Sequence, residues 1–291
     1  YDNRRQLGET EFNYYDLFAE HLTQAGVAFF RYSTRGCTPG EEPPMYVNID
    51  EAAYQAYTPQ NSVQDVEAIV RSLKQEERLQ GAQVYLLGWS EGTMIAPQVA
   101  QRQNVDVDML LLCGYVNGTM EETLDWQQSG GSSMVFYRQY FDADGDGVIS
   151  QAEFDADPNG LKEVLGAAFE DIDLDADGVL SEEDFKIMLA ESRSEVFHAI
   201  ETKDDAWLKE NYPVLLTSAW FWGHREFAPN REVMPTLDLP IQIFQGDADQ
   251  NTSVQQALDI QAEFERLGKQ NLAVHTFPGH DHDLNYTQYL V

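Results

Sequence analysis

Val84-Tyr85-Leu86-Leu87-Gly88-Trp89-Ser90-Glu91-Gly92 is a short apolar run ending in Gly-x-Ser-x-Gly, and the helix-compatible stretch Thr93 to Gln101 follows at once. The spacing has a mechanical reason. A serine on a sharp strand-to-helix turn takes strained backbone angles, and glycines at the flanking positions avoid clashes. Such a turn lifts the hydroxyl clear of the sheet. It also sets it at a helix N-terminus, where backbone N–H groups and the helix dipole favour negative charge. Gly and Ser are common in ordinary turns too, so the pentapeptide gains its meaning from what surrounds it.

Working outward, strands and helices alternate. Phe12 to Gln24 reads as an amphipathic helix with Leu17, Phe18 and Leu22 on one face. Gly26 ends it, and Val27 to Tyr32 reads as a buried strand of the parallel-sheet type. A Gly/Pro-rich loop runs from Thr34 to Pro44, and a second helix from Val63 to Leu79 carries Val66, Ile69, Val70 and Leu73 at helical spacing. Val107 to Cys113 is a further apolar strand. The alternation then stops and resumes with a strand at Ile241 to Gly246, a helix at Ser253 to Leu267 and a strand at Leu272 to Phe277. The pattern predicts an α/β fold: a mostly parallel sheet with helices on both faces, built from residues 1–114 and 240–291 and split by an insertion over 115–239.

The chain has 291 residues, 43% of them hydrophobic and 12% aromatic, enough for a folded protein with a sizeable core. No apolar run reaches the roughly 20 residues that span a bilayer. The first residue is Tyr1 rather than Met, which is expected of a chain that lost a leader or is truncated, and an extracytoplasmic setting is favoured. Cys37 and Cys113 are too few and too far apart for a disulfide framework and are expected to be free. The net charge of −32 argues against nucleic acid and anionic membrane surfaces as partners. Residues 121–210 hold 24 Asp and Glu against 6 Lys and Arg, which points to bound cations; the remaining excess fits a solvated acidic surface.

Two near-repeats explain that clustering. Residues 142–153 and 173–184 both read D-x-D-x-D-G followed by a carboxylate at the twelfth position, the pattern of an EF-hand calcium loop. Calcium takes six to eight hard oxygens, and alternate acidic residues can all turn inward around a glycine bend. The first loop offers Asp142, Asp144, Asp146, the Val148 carbonyl, Ser150 and Glu153. The second offers Asp173, Asp175, Asp177, the Val179 carbonyl, Ser181 and Asp184. Ile149 and Leu180 are spaced to pair across a short two-stranded contact. Glu153 can close its site with both oxygens; Asp184, one methylene shorter, is expected to give one, which makes the second site weaker and more tolerant of Mg²⁺. The helix after the first loop should be short, stopped at Asp157-Pro158-Asn159-Gly160, and the one after the second should run from Glu182 to about Ile200. Phe136, Tyr137, Tyr140 and Phe141 form an aromatic face expected to be mostly core beneath the loops.

Beyond the insertion, Gly246-Asp247-Ala248-Asp249 puts carboxylates at the C-terminal end of a predicted strand, the edge where parallel sheets carry their sites. Pro278-Gly279-His280-Asp281-His282 puts histidines in the loop after the last strand. With the Gly-Trp-Ser-Glu-Gly turn and the Arg31-Tyr32-Ser33-Thr34-Arg35-Gly36 loop, these stretches resemble the α/β-hydrolase superfamily in both motif and order. The resemblance spans most of residues 10–114 and 240–291, and the insertion falls where these enzymes carry lids. It implies Ser90 as nucleophile, His282 as general base and then acid, Asp249 as the group orienting the imidazole, and the Glu91 N–H as half of an oxyanion hole. Asp247 and His280 are the near competitors, and the family spacing favours Asp249 and His282. His275, His21, His198 and His224 read as structural.

The resemblance also implies a missing part. In that fold a third strand lies between the fourth and fifth and its loop gives the second oxyanion donor; no residues before Tyr1 supply it, so N-terminal strands are expected to be absent here. The function so read is acyl hydrolysis of a carboxylic ester, thioester or peptide, with Ca²⁺ in the two loops stabilising a lid. The aromatic Trp126, Trp220, Phe221 and Trp222 tilt the substrate toward an apolar acyl group. The competing class is a non-catalytic calcium-binding module on a hydrolase scaffold, against which the intact Ser, Asp and His count.

Overall fold

The computed structural model describes residues 4–13, 15–212 and 216–289. Its central sheet lies side by side in the order Tyr85–Trp89, Met109–Cys113, Ile241–Gly246, Leu272–Phe277, with every pairing parallel. The register is tight: Leu87 faces Leu111, Leu112 faces Ile243, and Ile243 faces Val274. Successive side chains alternate between faces. One face buries Leu110, Leu112, Ile241 and Ile243 completely, against Ala96 and Ala100 of the helix Gly92–Arg102 and Ala257, Ile260 and Phe264 of the helix Val254–Leu267. Each such apolar side chain contributes about 1.5–3 kcal/mol when taken from water.

The opposite face is barer. It carries Tyr85 and Leu87, both 41% exposed, and is met by the helix Asp16–Gln24 through Phe18, edge-on to Trp89 at 5.9 Å. Among the described residues, Tyr85–Trp89 is one edge strand of the sheet and Leu272–Phe277 the other. The expected strand Val27–Tyr32 does not form: its backbone joins no ladder, and Val27, Phe30 and Tyr32 are exposed. A strand exists only through the neighbour it pairs with, and this apolar run has none among the described residues. The first helix likewise begins at Asp16 instead of Phe12, because Thr10–Asn13 pairs antiparallel with Arg4–Leu7. Cys37–Pro39, inside the expected loop, pairs antiparallel with Val47–Ile49 beyond it as a second small hairpin. The next helix spans Pro59–Leu73, started early by Pro59 and by the Asn61 side chain accepting from the Thr58 N–H at 3.0 Å.

Within the stretch read as insertion, Val179–Leu180 and Ile149–Ser150 pair antiparallel with Leu180 opposite Ile149, as the spacing anticipates. Beneath them Phe141, Phe154, Phe169 and Phe185 close a small core with Met134 and Tyr137, and Phe136 and Tyr140 lie at its edge. The helix Glu182–Thr202 leaves this unit, about 30 Å long at 1.5 Å per residue, and joins a second core. There Val196, Ala199 and Ile200 pack with Leu124, Leu208, Trp220 and Phe221. After the first loop the helix Gln151–Ala156 stops at Asp157 in a left-handed turn. The chain then returns to the sheet. Asn230 Nδ2 donates to the carbonyls of Thr93 and Val116 at 2.8 and 2.7 Å, and the Arg231 N–H donates to Asn117 O at 2.9 Å. Met234 and Leu237 belong to the sheet's core. Both cysteines are free, and no helix among the described residues is long and apolar enough to cross a membrane.

Candidate active site

Ser90 occupies the turn between the strand Tyr85–Trp89 and the helix Gly92–Arg102 with φ of 54°, a left-handed backbone that costs a non-glycine residue about 1–3 kcal/mol unless its surroundings fix it. They do. The Ser90 N–H donates to Cys113 O at 2.9 Å, and the Thr93 N–H and hydroxyl both return to Ser90 O, at 2.8 and 2.7 Å. A Cβ on Gly88 would lie 2.3 Å from the Gly92 carbonyl oxygen, so any side chain there would push the helix off the strand. A Cβ on Gly92 would meet nothing within 4 Å. The steric reason expected for both glycines therefore holds for Gly88 alone. Glu91 is the N-cap of the helix, where N–H groups lack intrahelical partners.

Asp249 and His282 meet across 33 residues, Nδ1 to Oδ2 at 2.8 Å. Asp249 is 1% exposed, and five donors converge on its carboxylate. Oδ1 accepts from the N–H groups of Asn251 and Thr252; Oδ2 accepts from Gln245 Nε2, the Thr252 hydroxyl and His282. Burial pushes its pKa up, but the bond and charge of His282 and the donors of Thr252 outweigh this, and the net shift is downward. For His282 burial pulls the pKa down, while the bond and charge of Asp249, with Asp283 and Asp281 adding, leave it raised above the ordinary 6.5. An ionised Asp249 only accepts, so Nδ1 carries the proton and Nε2 is left as the basic atom. The ring lies against Gly114, where a Cβ would come within 2.6 Å of His282 Cε1 and where φ is +62°. Gly114 follows Cys113, whose carbonyl holds Ser90. The serine turn and the histidine loop thus share one support.

The competitors are used otherwise. Asp247 is exposed and accepts from the Gly279 N–H at 2.7 Å, bracing the histidine loop. His280 Nδ1 lies 3.0 Å from Pro278 O in its own turn. His275 stacks on Phe244 at 5.0 Å, and His21 and His198 are exposed.

Two contacts escape sequence reasoning. Glu91 Oε1 accepts from Trp220 Nε1 at 2.7 Å and meets His224 Nε2 at 3.1 Å, so the residue after Ser90 is gripped by the helix Ser218–His224. Burial and then the Glu91 charge push the nearby Tyr57 phenol above its ordinary range. Gln245 is fully buried, joining Asp249 to the Tyr115 N–H. Its signal in the sequence is a polar residue in phase with the inward Ile241 and Ile243.

In the two acidic loops the carboxylates of Asp142, Asp144 and Asp146 gather within 4.8 Å of one another, as do those of Asp173, Asp175 and Asp177. Glu153 folds back: Oε1 accepts from the Ala143 and Asp144 N–H groups, and Oε2 from the Ser150 N–H and hydroxyl. Those bonds, the Ser150 hydroxyl first, hold its pKa down at about 2. Asp184 closes the second loop in the same way, onto the N–H groups of Leu174, Asp175 and Ser181, and is fully buried. Asp175 is pushed up, by desolvation and then by the charges of Asp177, Asp184 and Asp173. Asp173 Oδ1 is buried and has no hydrogen-bond partner. A buried carboxylate oxygen facing other carboxylates asks for a cation. Val148, Ser150, Val179 and Ser181 occupy the intervening positions of the loops.

A parallel sheet of this topology, with Ser90 on a strand-to-helix turn and the Asp249–His282 pair at the same edge, is the frame of an α/β hydrolase. The alpha/beta hydrolase family model matches residues 8–289, and the chain belongs to that family. Comparison with curated proteins finds no match. Among solved structures, a monoacylglycerol lipase of Paleococcus ferrophilus is similar at 12% identity, covering 92% of this chain and 80% of its own, with a TM-score of 0.41. A carboxylesterase structure from Nitrososphaera gargenis is similar at 15% identity, 94% and 79% coverage and a TM-score of 0.47. An esterase of Exiguobacterium antarcticum is similar at 14% identity, 95% and 82% coverage and a TM-score of 0.46.

Proposed function

We propose that this chain is a serine hydrolase acting on carboxylic esters with an apolar acyl group, through Ser90, His282 and Asp249. The observation that carries the reading is the 2.8 Å contact between His282 Nδ1 and Asp249 Oδ2 at the sheet edge where Ser90 stands on its strained turn. His282 Nε2 takes the Ser90 proton as Oγ bonds to the acyl carbon, and Asp249 stabilises the imidazolium that forms. The negative oxygen of the tetrahedral intermediate is met by the Glu91 N–H at the head of the helix. The intermediate collapses as His282 returns the proton to the departing alkoxide, leaving an acyl-Ser90 ester. Water then enters; Nε2 takes its proton, the hydroxide bonds to the acyl carbon, and the released Ser90 oxygen is reprotonated. Trp220, bonded to Glu91, and Phe221 packed edge-on against it support an apolar acyl group.

In this reading the core is residues 1–114 and 240–291, and 115–239 is a lid holding two EF-hand loops. The residues fit a divalent cation, chiefly because Asp173 Oδ1 is buried without a partner. Asp142, Asp144, Asp146, Ser150 and Glu153, and Asp173, Asp175, Asp177, Ser181 and Asp184, would hold Ca²⁺, with the Val148 and Val179 carbonyls. Bound, the ions would cancel the carboxylate repulsion and cross-link the loops; the acyl chemistry needs no metal. The test is a fluorophosphonate probe with a panel of p-nitrophenyl esters. Ser90 should be labelled, and Ser90→Ala should lose label and turnover by roughly 10⁴–10⁶-fold with the fold intact. Unchanged turnover in that variant would refute the reading.

A further inference from the structure

The residue after Ser90 is held locally by its backbone and remotely by its side chain. As N-cap of the helix Gly92–Arg102, Glu91 has a backbone N–H with no intrahelical partner. That N–H belongs to the Ser90–Glu91 peptide, whose carbonyl, Ser90 O, is fixed by the N–H and hydroxyl of Thr93 at 2.8 and 2.7 Å. The Glu91 carbonyl accepts from the Met94 and Ile95 N–H groups at 2.9 and 3.2 Å. The side chain instead reaches across the molecule, where Oε1 accepts from Trp220 Nε1 at 2.7 Å and from His224 Nε2 at 3.1 Å. A carboxylate only accepts, so the imidazole carries a proton on Nε2.

The two donors form a rigid pair. Their rings meet edge to face with centroids 4.4 Å apart, and both residues are buried. The helix that carries them, Ser218–His224, is pinned in turn to the helix Pro59–Leu73: Gln60 Nε2 donates to Gly223 O at 2.7 Å, and a Cβ on Gly223 would come within 2.6 Å of Pro59 Cδ. Trp222 Nε1 ties it also to Ile200 O, at 2.9 Å, on the long helix Glu182–Thr202. For packing alone an apolar side chain at position 91 would serve. A carboxylate set against two buried rings gives up hydration, which the two charge-assisted bonds offset, and what it adds over an apolar contact is direction. We propose that Trp220 and His224 are positioning residues for the oxyanion donor. Through the Glu91 carboxylate they fix the Cα end of the Ser90–Glu91 peptide, as Thr93 fixes its carbonyl end, and so aim the Glu91 N–H at the oxygen that turns negative in the tetrahedral intermediate. This role rests on the function proposed above. Such a donor is effective only when aimed before the charge develops, so the helix Ser218–His224 sets the rate of acyl transfer without supplying a reacting group.

Glu91→Ala and Glu91→Gln both keep the backbone N–H; glutamine still offers an oxygen to the two donors and alanine offers none. With a p-nitrophenyl ester, Glu91→Ala should lose about 10–100-fold in kcat with KM within a few-fold, and Glu91→Gln should recover most of that loss. A small trifluoromethyl ketone, which adds to the serine oxygen as a tetrahedral oxyanion, should lose affinity for Glu91→Ala by the same factor as kcat/KM. Trp220→Phe keeps a ring and removes the N–H; it should cost about tenfold in the wild type and almost nothing on top of Glu91→Ala. Should Trp220→Phe not fold, the two Glu91 variants decide alone. Glutamine no better than alanine, an unchanged ketone affinity, or fully additive losses would each overturn the proposal and leave the grip a structural contact. Fluorophosphonate labelling keeps the two readings apart. A wild type whose Ser90 takes label, with turnover indifferent to these changes, refutes the positioning role alone; a wild type with neither label nor turnover refutes the hydrolase reading and this inference with it.

Discussion

The indole N–H of Trp89 donates to the backbone carbonyl of His282 at 3.1 Å, joining the residue before the serine to the histidine loop across 193 positions of sequence. It supports that loop from the strand side, while Gly114 supports the ring from the middle strand.

Trp89→Phe keeps an aromatic surface for Phe18 and removes the donor. Loss of one partly buried hydrogen bond costs about 1 kcal/mol, so melting should fall by a few degrees. Turnover should fall further, by roughly 10–100-fold in kcat with KM little changed, because an imidazole displaced by a fraction of an ångström no longer meets the serine. Stopped assays with a small activated ester, beside a thermal melt, would check both halves; equal losses in kcat and stability would argue for a merely structural contact.

Asp249→Asn and Asp247→Asn form a paired comparison. The first replaces an acceptor of five donors with an amide that presents N–H to His282 or to its neighbours, and should cost about 10³–10⁴-fold in kcat. The second keeps an oxygen for the Gly279 N–H and should stay within a few-fold of wild type. A large loss confined to Asp247→Asn would move the acid to that residue.

The pH profile follows from His282. The base must be neutral, and its raised pKa prolongs the protonated form, so the acidic limb of kcat/KM should have its midpoint above 6.5. Asp249→Asn removes the largest influence that raises it and leaves only Asp283 and Asp281 against burial, which lowers it, so residual activity should show a limb shifted to lower pH. Stability runs with the opposite sign for the two partners. The raised His282 contributes stability below its unfolded pKa that is lost as pH climbs through the folded value. The lowered Asp249 contributes above its unfolded pKa, and that contribution is lost as pH falls through the folded value. Melting temperature against pH, in wild type and Asp249→Asn, separates these.

Calcium titration should resolve two sites, the Glu153 site tighter and the Asp184 site weaker and more readily taken by Mg²⁺. With chelator, the gathered carboxylates repel at on the order of 1–4 kcal/mol per pair near a surface. Melting should drop and protection from hydrogen exchange should be lost over the two loops while the sheet keeps its own. Small-ester cleavage should survive at reduced rate. Its abolition with no change in melting would instead put the metal at the chemistry.

The serine turn, the order of Ser90, Asp249 and His282, and the paired loops were legible because each is a local pattern with a local cause. The choice of Asp249 over Asp247 came from spacing; His282 Nδ1 lies 2.8 Å from Asp249 Oδ2, and Asp247 accepts from the Gly279 N–H. The gripping of Glu91 was not legible, since Trp220 and His224 lie 129 and 133 positions away and an indole or imidazole there reads equally as core. The hairpins at Arg4–Asn13 and Cys37–Ile49 were hidden because strands of three or four residues show no periodicity to count. Val27–Tyr32 misled for the converse reason: its apolar character is local, but a strand is made by a neighbour.

The clasp in which Asn230 and Arg231 bind Val116 and Asn117 brings the two ends of the intervening helical stretch back together. Topologically, that stretch is a pendant ring hung on a two-bond buckle. Its length and content are therefore free parameters as far as the sheet's register is concerned. A designer who cut at the buckle and grafted a different cap would have to restore, besides a new hand for Glu91, the bonds that tie the present one to the sheet domain through Gln127 and Asn251, Gly223 and Gln60, and Ala228 and Gln98.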